Sequence, residues 1–101
     1  MNHSLFLLGL CVKANALVTG DQILPSVRSQ KASLVIITHD ASERTRKQIK
    51  DKCAFYHIDV IESFSSFELS KAIGKTSRVA CAITHSALAK QIKEALKEVK
   101  E

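Results

Sequence analysis

Leu34-Val35-Ile36-Ile37 and Val79-Ala80-Cys81-Ala82-Ile83 are the two stretches on which the fold turns. Both are short, unbroken by charge and built around β-branched side chains. A strand with one wet face alternates apolar and polar residues, whereas a strand covered on both faces reads as a continuous apolar run. The two runs therefore predict strands sandwiched between helices. Asp59-Val60-Ile61-Glu62 is a third strand candidate, and Leu17-Val18-Thr19 a short fourth.

Helical periodicity fills the gaps. Ser4 is placed to cap a helix running to about Ala14. Asp40 or Ser42 can cap another, with Thr45, Ile49, Cys53 and Tyr56 on its inner face. Its outer face carries Glu43, Arg44, Arg46, Lys47, Lys50 and Lys52. Ser65-x-x-Glu68 reads as a capping box for a short helix that stops at Gly74. A last helix starts near Ser86 and aligns Leu88, Ile92, Ala95, Leu96 and Val99 inward. Lys90, Lys93, Glu94, Lys97 and Glu98 face outward as an ordinary solvated surface. Strands alternating with helices predict a three-layer α/β/α sandwich.

The segment after Thr19 is ambiguous. Thr19-x-x-Gln22 is a capping-box pattern, but with Thr19 as cap, Pro25 falls in the second turn and kinks the helix. With Asp21 as cap, Pro25 sits in the first turn, where its missing N–H costs no bond. The second register is expected, with Val27 inward and Arg28 outward.

Size and composition narrow the class. The 101 residues fit one domain, and three Gly and one Pro leave no room for a linker or low-complexity tail. Fifteen Lys and Arg against ten Asp and Glu give a net charge of +5, which suits a polyanionic partner without naming one. The apolar run Leu5 to Val12, followed by Ala14-Asn15-Ala16, imitates a secretory signal. No Lys or Arg precedes it and it is too short to span a bilayer, so it reads as a buried first helix. Cys11, Cys53 and Cys81 are odd in number and widely spaced, which fits a reducing cytoplasmic compartment better than a disulfide framework.

Three constellations invite chemistry. Cys53-x3-His57 and Cys81-x3-His85 together offer a tetrahedral zinc set, but Cys81 falls inside an apolar strand and no close Cys pair is present. The cysteines read as core residues, and no metal or cofactor is expected. Gly74-Lys75-Thr76 imitates the end of a phosphate-binding loop, yet Leu69 stands where the motif needs its first Gly, and the strand–helix order is reversed. As a polar turn, Gly74 to Arg78 remains a good place to touch phosphates. His39-Asp40 could be an acid/base pair, but no nucleophile or second carboxylate accompanies it, and Asp40 is more simply a cap. No catalytic residues are assigned.

Several phrases in order resemble the kink-turn-binding ribosomal protein superfamily along nearly the whole chain. They are Leu7-Leu8-Gly9-Leu10-Cys11-Val12-Lys13-Ala14, Leu17-Val18-Thr19-Gly20-Asp21-Gln22, and Ala32 through Ser42. Asp51-Lys52-Cys53 and Glu68 through Lys75 continue the match, and the wording is most similar to the bacterial YlxQ branch. The resemblance implies a four-stranded mixed sheet in one domain over residues 1–101. It also implies binding to kink-turn RNA, a sharply bent duplex held by sheared G·A pairs. In that family a Gly-x-Asn-Glu-x-x-Lys segment reads those pairs; here Thr19 takes the Gly place, Asp21 the Asn, Gln22 the Glu and Pro25 the Lys. A second contact is implied for the loop from Gly74 to Val79.

The departures weaken the implied site. Asp21 cannot donate as an Asn amide does, and its charge opposes phosphate. Pro25 removes a cation. Together these cost a few kcal/mol, roughly 100-fold in affinity.

Residue chemistry supports an RNA role independently. Free N–H groups at Gly20, Asp21 and Gln22, flanked by Lys13, Arg28 and Lys31, make a backbone docking point. Phe6, Phe55, Tyr56, Phe64 and Phe67 do not form a single-strand-binding pattern, so structured RNA is the expected ligand. The expected RNA contacts are thus Thr19, Gly20, Asp21, Gln22, Arg28, Lys31, Gly74, Lys75, Thr76, Ser77 and Arg78. The leading expectation is a monomeric, non-catalytic RNA-binding protein of the ribosome, translation or RNA processing. The alternative is a protein-interaction module that docks an acidic partner on the basic face from Arg44 to Lys52.

Overall fold

In the computed structural model, residues 3–99 are described, without the side chains of residues 97–99. The sheet is built outward from the pairing of β2 (Leu34–Ile37) with β4 (Ala80–Ile83). These strands run antiparallel, with Leu34 beside Ile83, Val35 beside Ala82, Ile36 beside Cys81 and Ile37 beside Ala80. Val35, Ile36 and Ile37 thus each neighbour a small residue of β4, while Leu34 and Ile83 pair two large side chains. β1 (Leu17–Thr19) adds antiparallel to β4, and β3 (Asp59–Glu62) adds parallel to β2, giving the mixed order β1-β4-β2-β3.

Every residue of β2 and β4 is buried, as their unbroken apolar composition requires. Side chains alternate between two layers. Leu34, Ile36, Cys81 and Ile83 meet Leu7, Leu8 and Cys11 of α1 (His3–Lys13), Leu69 and Ile73 of α4 (Ser66–Ile73), and Ile92 of α5 (Ser86–Val99). Val35, Ile37, Ala80 and Ala82 meet Ile23 and Val27 of α2 (Ile23–Arg28), and Ile49 and Cys53 of α3 (Glu43–Tyr56). The molecule is the three-layer α/β/α sandwich that the sequence predicts. No helix among the described residues is long and apolar enough to cross a membrane.

Helix ends account for most differences from the sequence reading. α3 is capped by Ser42, whose Oγ accepts from the Thr45 N–H at 3.1 Å. Asp40 caps a different helix. Its carboxylate accepts from the N–H of Ser66 at 3.0 Å and from the Ser66 hydroxyl at 2.8 Å, joining the β2–α3 loop to the start of α4. The expected capping box is present: Ser65 Oγ accepts from the Glu68 N–H, and Glu68 Oε1 from the Ser65 N–H. Gly74 ends α4 in the left-handed region, with φ of 71°.

Two expected caps are corrected. Ser4 is the second residue of α1 and fully buried, inside the helix and not at its boundary; the helix ends at Lys13, next to the expected Ala14. Asp21 does not cap α2 either. Gly20–Gln22 form a 3-10 turn, and α2 begins only at Ile23 with no side-chain cap. Thr19 is held in β1, so the chain tightens through the turn before the helix winds. Pro25 still falls in the first turn of α2, Val27 is buried and Arg28 exposed, as read. Leu88, Ile92, Ala95 and Leu96 lie on the inner face of α5; the side chains of Lys97, Glu98 and Val99 lie outside the described residues.

Ile36 sits at the centre of the sheet with no solvent exposure. Ile36→Ala is expected to lower the unfolding free energy by about 2–5 kcal/mol through lost burial and the cavity left behind. Urea denaturation checks this, with a lower midpoint at unchanged slope.

Candidate nucleic-acid interface

Antiparallel pairing of Thr19 with Cys81 puts the chain leaving β1 beside the chain arriving at β4. Residues 20–25 and 77–80, far apart in sequence, consequently face one another. Between them lies a groove of about 520 Å³ whose third wall is the first half of α3. Its buried floor is Ile23, Ile49 and Ala80, and its rim carries Asp21, Arg28, Thr45, Gln48, Ser77 and Arg78. Gly20 makes the sharp turn into it. Its φ of 61° is strained for any other residue, although no neighbouring atom fills the space a Cβ would take.

Arg78 is fixed from two sides. Ser70, buried on α4, accepts from the Arg78 N–H at 2.8 Å and donates to the Arg78 carbonyl at 3.3 Å. The guanidinium donates through Nε to Thr19 Oγ1 at 3.3 Å and through Nη1 to the Thr76 carbonyl at 3.0 Å. A guanidinium has five N–H donors, so these bonds orient the group and leave the others for an incoming acceptor. That arrangement, a fixed cation over an apolar floor, suits a phosphate or base edge.

The expected contact residues divide into three groups. Gly20, Asp21, Arg28, Ser77 and Arg78 line the groove, and Thr19 and Thr76 border it through their bonds to Arg78. Lys75, Thr76 and Ser77 also line a second, shallower groove of about 370 Å³ along α4, with Gly74 turning the chain toward it. Gln22 is exposed on the 3-10 turn but is not among the lining residues. Lys31 and Lys13 stand apart. Each leads toward the end of the sheet where Ile83 accepts from the Ser33 N–H and pairs with Leu17, opposite the groove. Thr45, Gln48 and Leu24 were missed. The signal was present in the spacing of Thr45 and Ile49, which lie one turn apart with Gln48 between them, but it reads equally as plain core.

Three of the five cations on α3 are paired within the molecule. Lys50 and Arg46 pair with Glu62 at 2.9 and 3.5 Å, and Lys47 pairs with Asp51 at 3.2 Å. The Lys50 hydrogen bond, then its charge and that of Arg46, hold the Glu62 carboxyl below its usual range against partial desolvation. The cysteines lie in separate layers, Cys11 and Cys81 with α1 and Cys53 with α3, so the sheet stands between the two Cys-x3-His pairs. Burial pushes the thiols up, Cys53 to about 11 and Cys81 to about 12, with Cys11 adding to the latter. His57 is the left-handed residue that ends α3, with φ of 61°.

Residues 6–99 match the ribosomal protein L7Ae/L30e/S12e/Gadd45 family. The chain belongs to that family. Within it, the chain is 38% identical over 89 residues to the RNA-binding protein YlxQ of Enterococcus faecium, covering 87% of this chain and 85% of the relative. It is 37% identical over 87 residues to the RNA-binding protein YlxQ of Bacillus subtilis, covering 85% and 87%. A solved structure of a Bacillus halodurans protein of unknown function superposes with a TM-score of 0.92 at 32% identity, over 96% of this chain and 99% of that one. The Giardia lamblia 15.5kD RNA binding protein shares the fold, with a TM-score of 0.75 at 24% identity over 95% and 83%. In this chain Thr19 is extended, with φ of −137°, and its neighbour Gly20 is left-handed.

The His39-Asp40 pair resolves as structure, since the Asp40 carboxylate is engaged at the α4 N-terminus. The Thr38 hydroxyl meets no partner at strict hydrogen-bond geometry, yet it faces the Asp40 carboxylate closely enough to favour its charge. Thr38 and then Ser66 hold the carboxyl below its usual value. A depressed carboxyl pKa stabilises the fold above the unfolded-state value of about 3.9 and ceases to do so as pH falls through the folded value. Asp40→Asn is therefore expected to melt below the parent at pH 7, with the gap closing at acid pH. Melting curves from pH 7 down to about pH 2 check it.

Proposed function

We propose that this chain is a non-catalytic protein that binds structured RNA of the kink-turn type through the groove between residues 20–28 and 77–80. It acts in this reading as a single-domain, cofactor-free monomer in the cytoplasm, in ribosome assembly, translation or RNA processing. The observation that carries the reading is the convergence of the two segments on one groove, with Arg28 and the anchored Arg78 at its rim. Two relatives at 37–38% identity carry the name RNA-binding protein, which supports the same class. A-form RNA hides its base edges in a deep major groove, so recognition works through the backbone and through exposed bases at bends. A cleft with an apolar floor and cationic rim fits such a bend.

Asp21 and Pro25 are both exposed and neither packs in the core, so they tune affinity without setting the fold. On the α3 face offered for an acidic protein partner, three of five cations are already paired with Glu62 or Asp51, which lowers the free charge that alternative relies on. The protein is expected to bind a kink-turn RNA with affinity that falls steeply as salt rises, because released counterions drive phosphate contacts. Arg28→Glu should weaken binding and flatten the salt slope by about one unit. Replacing Asp21 by Asn and Pro25 by Lys together should tighten binding at least about tenfold, roughly 1.4 kcal/mol. Titrations of the three proteins with one RNA across a salt series decide the matter. Salt-independent binding, with neither variant differing from the parent, would sink the RNA reading and leave a protein partner in its place.

A further inference from the structure

α4 presents a second surface beside the groove. Phe67, on its first turn, is 74% exposed, a high value for a large apolar side chain in a folded domain. The Lys71 ammonium stands over its ring, 5.9 Å from the centroid, one turn along the same helix. Both residues line the shallower groove with Lys75, Thr76 and Ser77, and Ser77 also lines the main groove, so the two surfaces are continuous. The carboxylates at this end of α4 do not oppose an anion freely. Glu68 is engaged with the Ser65 N–H and Asp40 with the Ser66 N–H. Phe6 and Phe55 are exposed too, but they lie on α1 and α3 and line neither groove.

We infer that Phe67 is a stacking platform for one unpaired nucleobase of the RNA held in the adjoining groove, with Lys71 and Lys75 receiving the phosphates that flank it. The inference rests on the RNA reading above and extends it to a site formed by α4. An aromatic face accepts any base, because every base has a π-face, and a cation beside the ring adds attraction for the sugar-phosphate chain. A bent RNA supplies such a base, since its unstacked nucleotides leave the helix at the bend. Phe67 and the main groove then read different parts of one ligand: the groove takes the bend, and the ring takes a base displaced from it.

The test is a cycle between protein and RNA. Wild type, Phe67→Ala and Phe67→Trp are titrated with a kink-turn hairpin and with the same hairpin made abasic at each unpaired position in turn. Phe67 is exposed, so the variants are expected to fold, and circular dichroism checks that they do. Phe67→Ala should weaken binding to the intact hairpin by about tenfold. One abasic position should weaken wild type equally and cost Phe67→Ala nothing further. Phe67→Trp should bind as wild type, and its indole fluorescence should be quenched by the intact RNA but not by that abasic one. If wild type binds with a steep salt slope while Phe67→Ala matches it within about twofold, the platform is overturned and the groove stands. If no protein binds any of the RNAs, both readings fall.

Discussion

β2 and β4 are buried along their whole length, so their backbone N–H and C=O groups must be satisfied by neighbouring strands. The pairing of these two strands answers that constraint, and the rest of the molecule follows from it. Each strand has one further side to satisfy. β1 takes that side of β4 and β3 takes that side of β2. The two apolar faces of this sheet then need cover, which α1, α4 and α5 give on one side and α2 and α3 on the other. The groove is a by-product of the same pairing. Because β1 and β4 are antiparallel neighbours, the exit of one meets the approach of the other, and the helix after β1 closes the space against α3.

Much of this was legible in the sequence because burial on both faces leaves a direct mark. Leu34–Ile37 and the run ending at Ile83 carry the composition of covered strands, and Ser65 with Glu68 that of a capping box, and both form as read. Helix starts that depend on distant partners were not legible. Asp40 lies two residues before Ser42 and reads as a cap for α3, yet its carboxylate crosses to Ser66, 26 positions away. Nothing local distinguishes the two outcomes. The start of α2 was misread because Asp21, the expected cap, lies inside a 3-10 turn; Thr19, the other candidate, accepts from Arg78, 59 positions on, and caps nothing.

The candidate site divides along the same line. Two groups of polar residues, around Gly20 and around Ser77, stood out in sequence because turns and caps have a recognisable composition. That they share a groove follows from strand order, which periodicity does not encode. Lys31 shows the converse, being near Arg28 in sequence and at the other end of the sheet in space. Net charge also misleads when counted from the sequence. Of the five cations on α3, Arg46, Lys47 and Lys50 are paired within the molecule, so the surface that faces outward is less basic there than the count suggests. The guanidinium of Arg78, a single residue in an unremarkable turn, is better placed than any of them.

Strand order also has a consequence for how the protein comes into being on the ribosome. β4 is last of the four strands to be made, yet it lies between β1 and β2. A nascent chain that has passed β3 holds one parallel pair and a first strand with nothing beside it. The centre of the sheet is filled only when residues 80–83 emerge, and domains fold as units once their parts are present. The groove comes into existence at that same moment, because its rim includes Ser77 and Arg78. Chains interrupted before residue 77 lack one whole side of the cleft, so the groove cannot precede the last strand of the sheet.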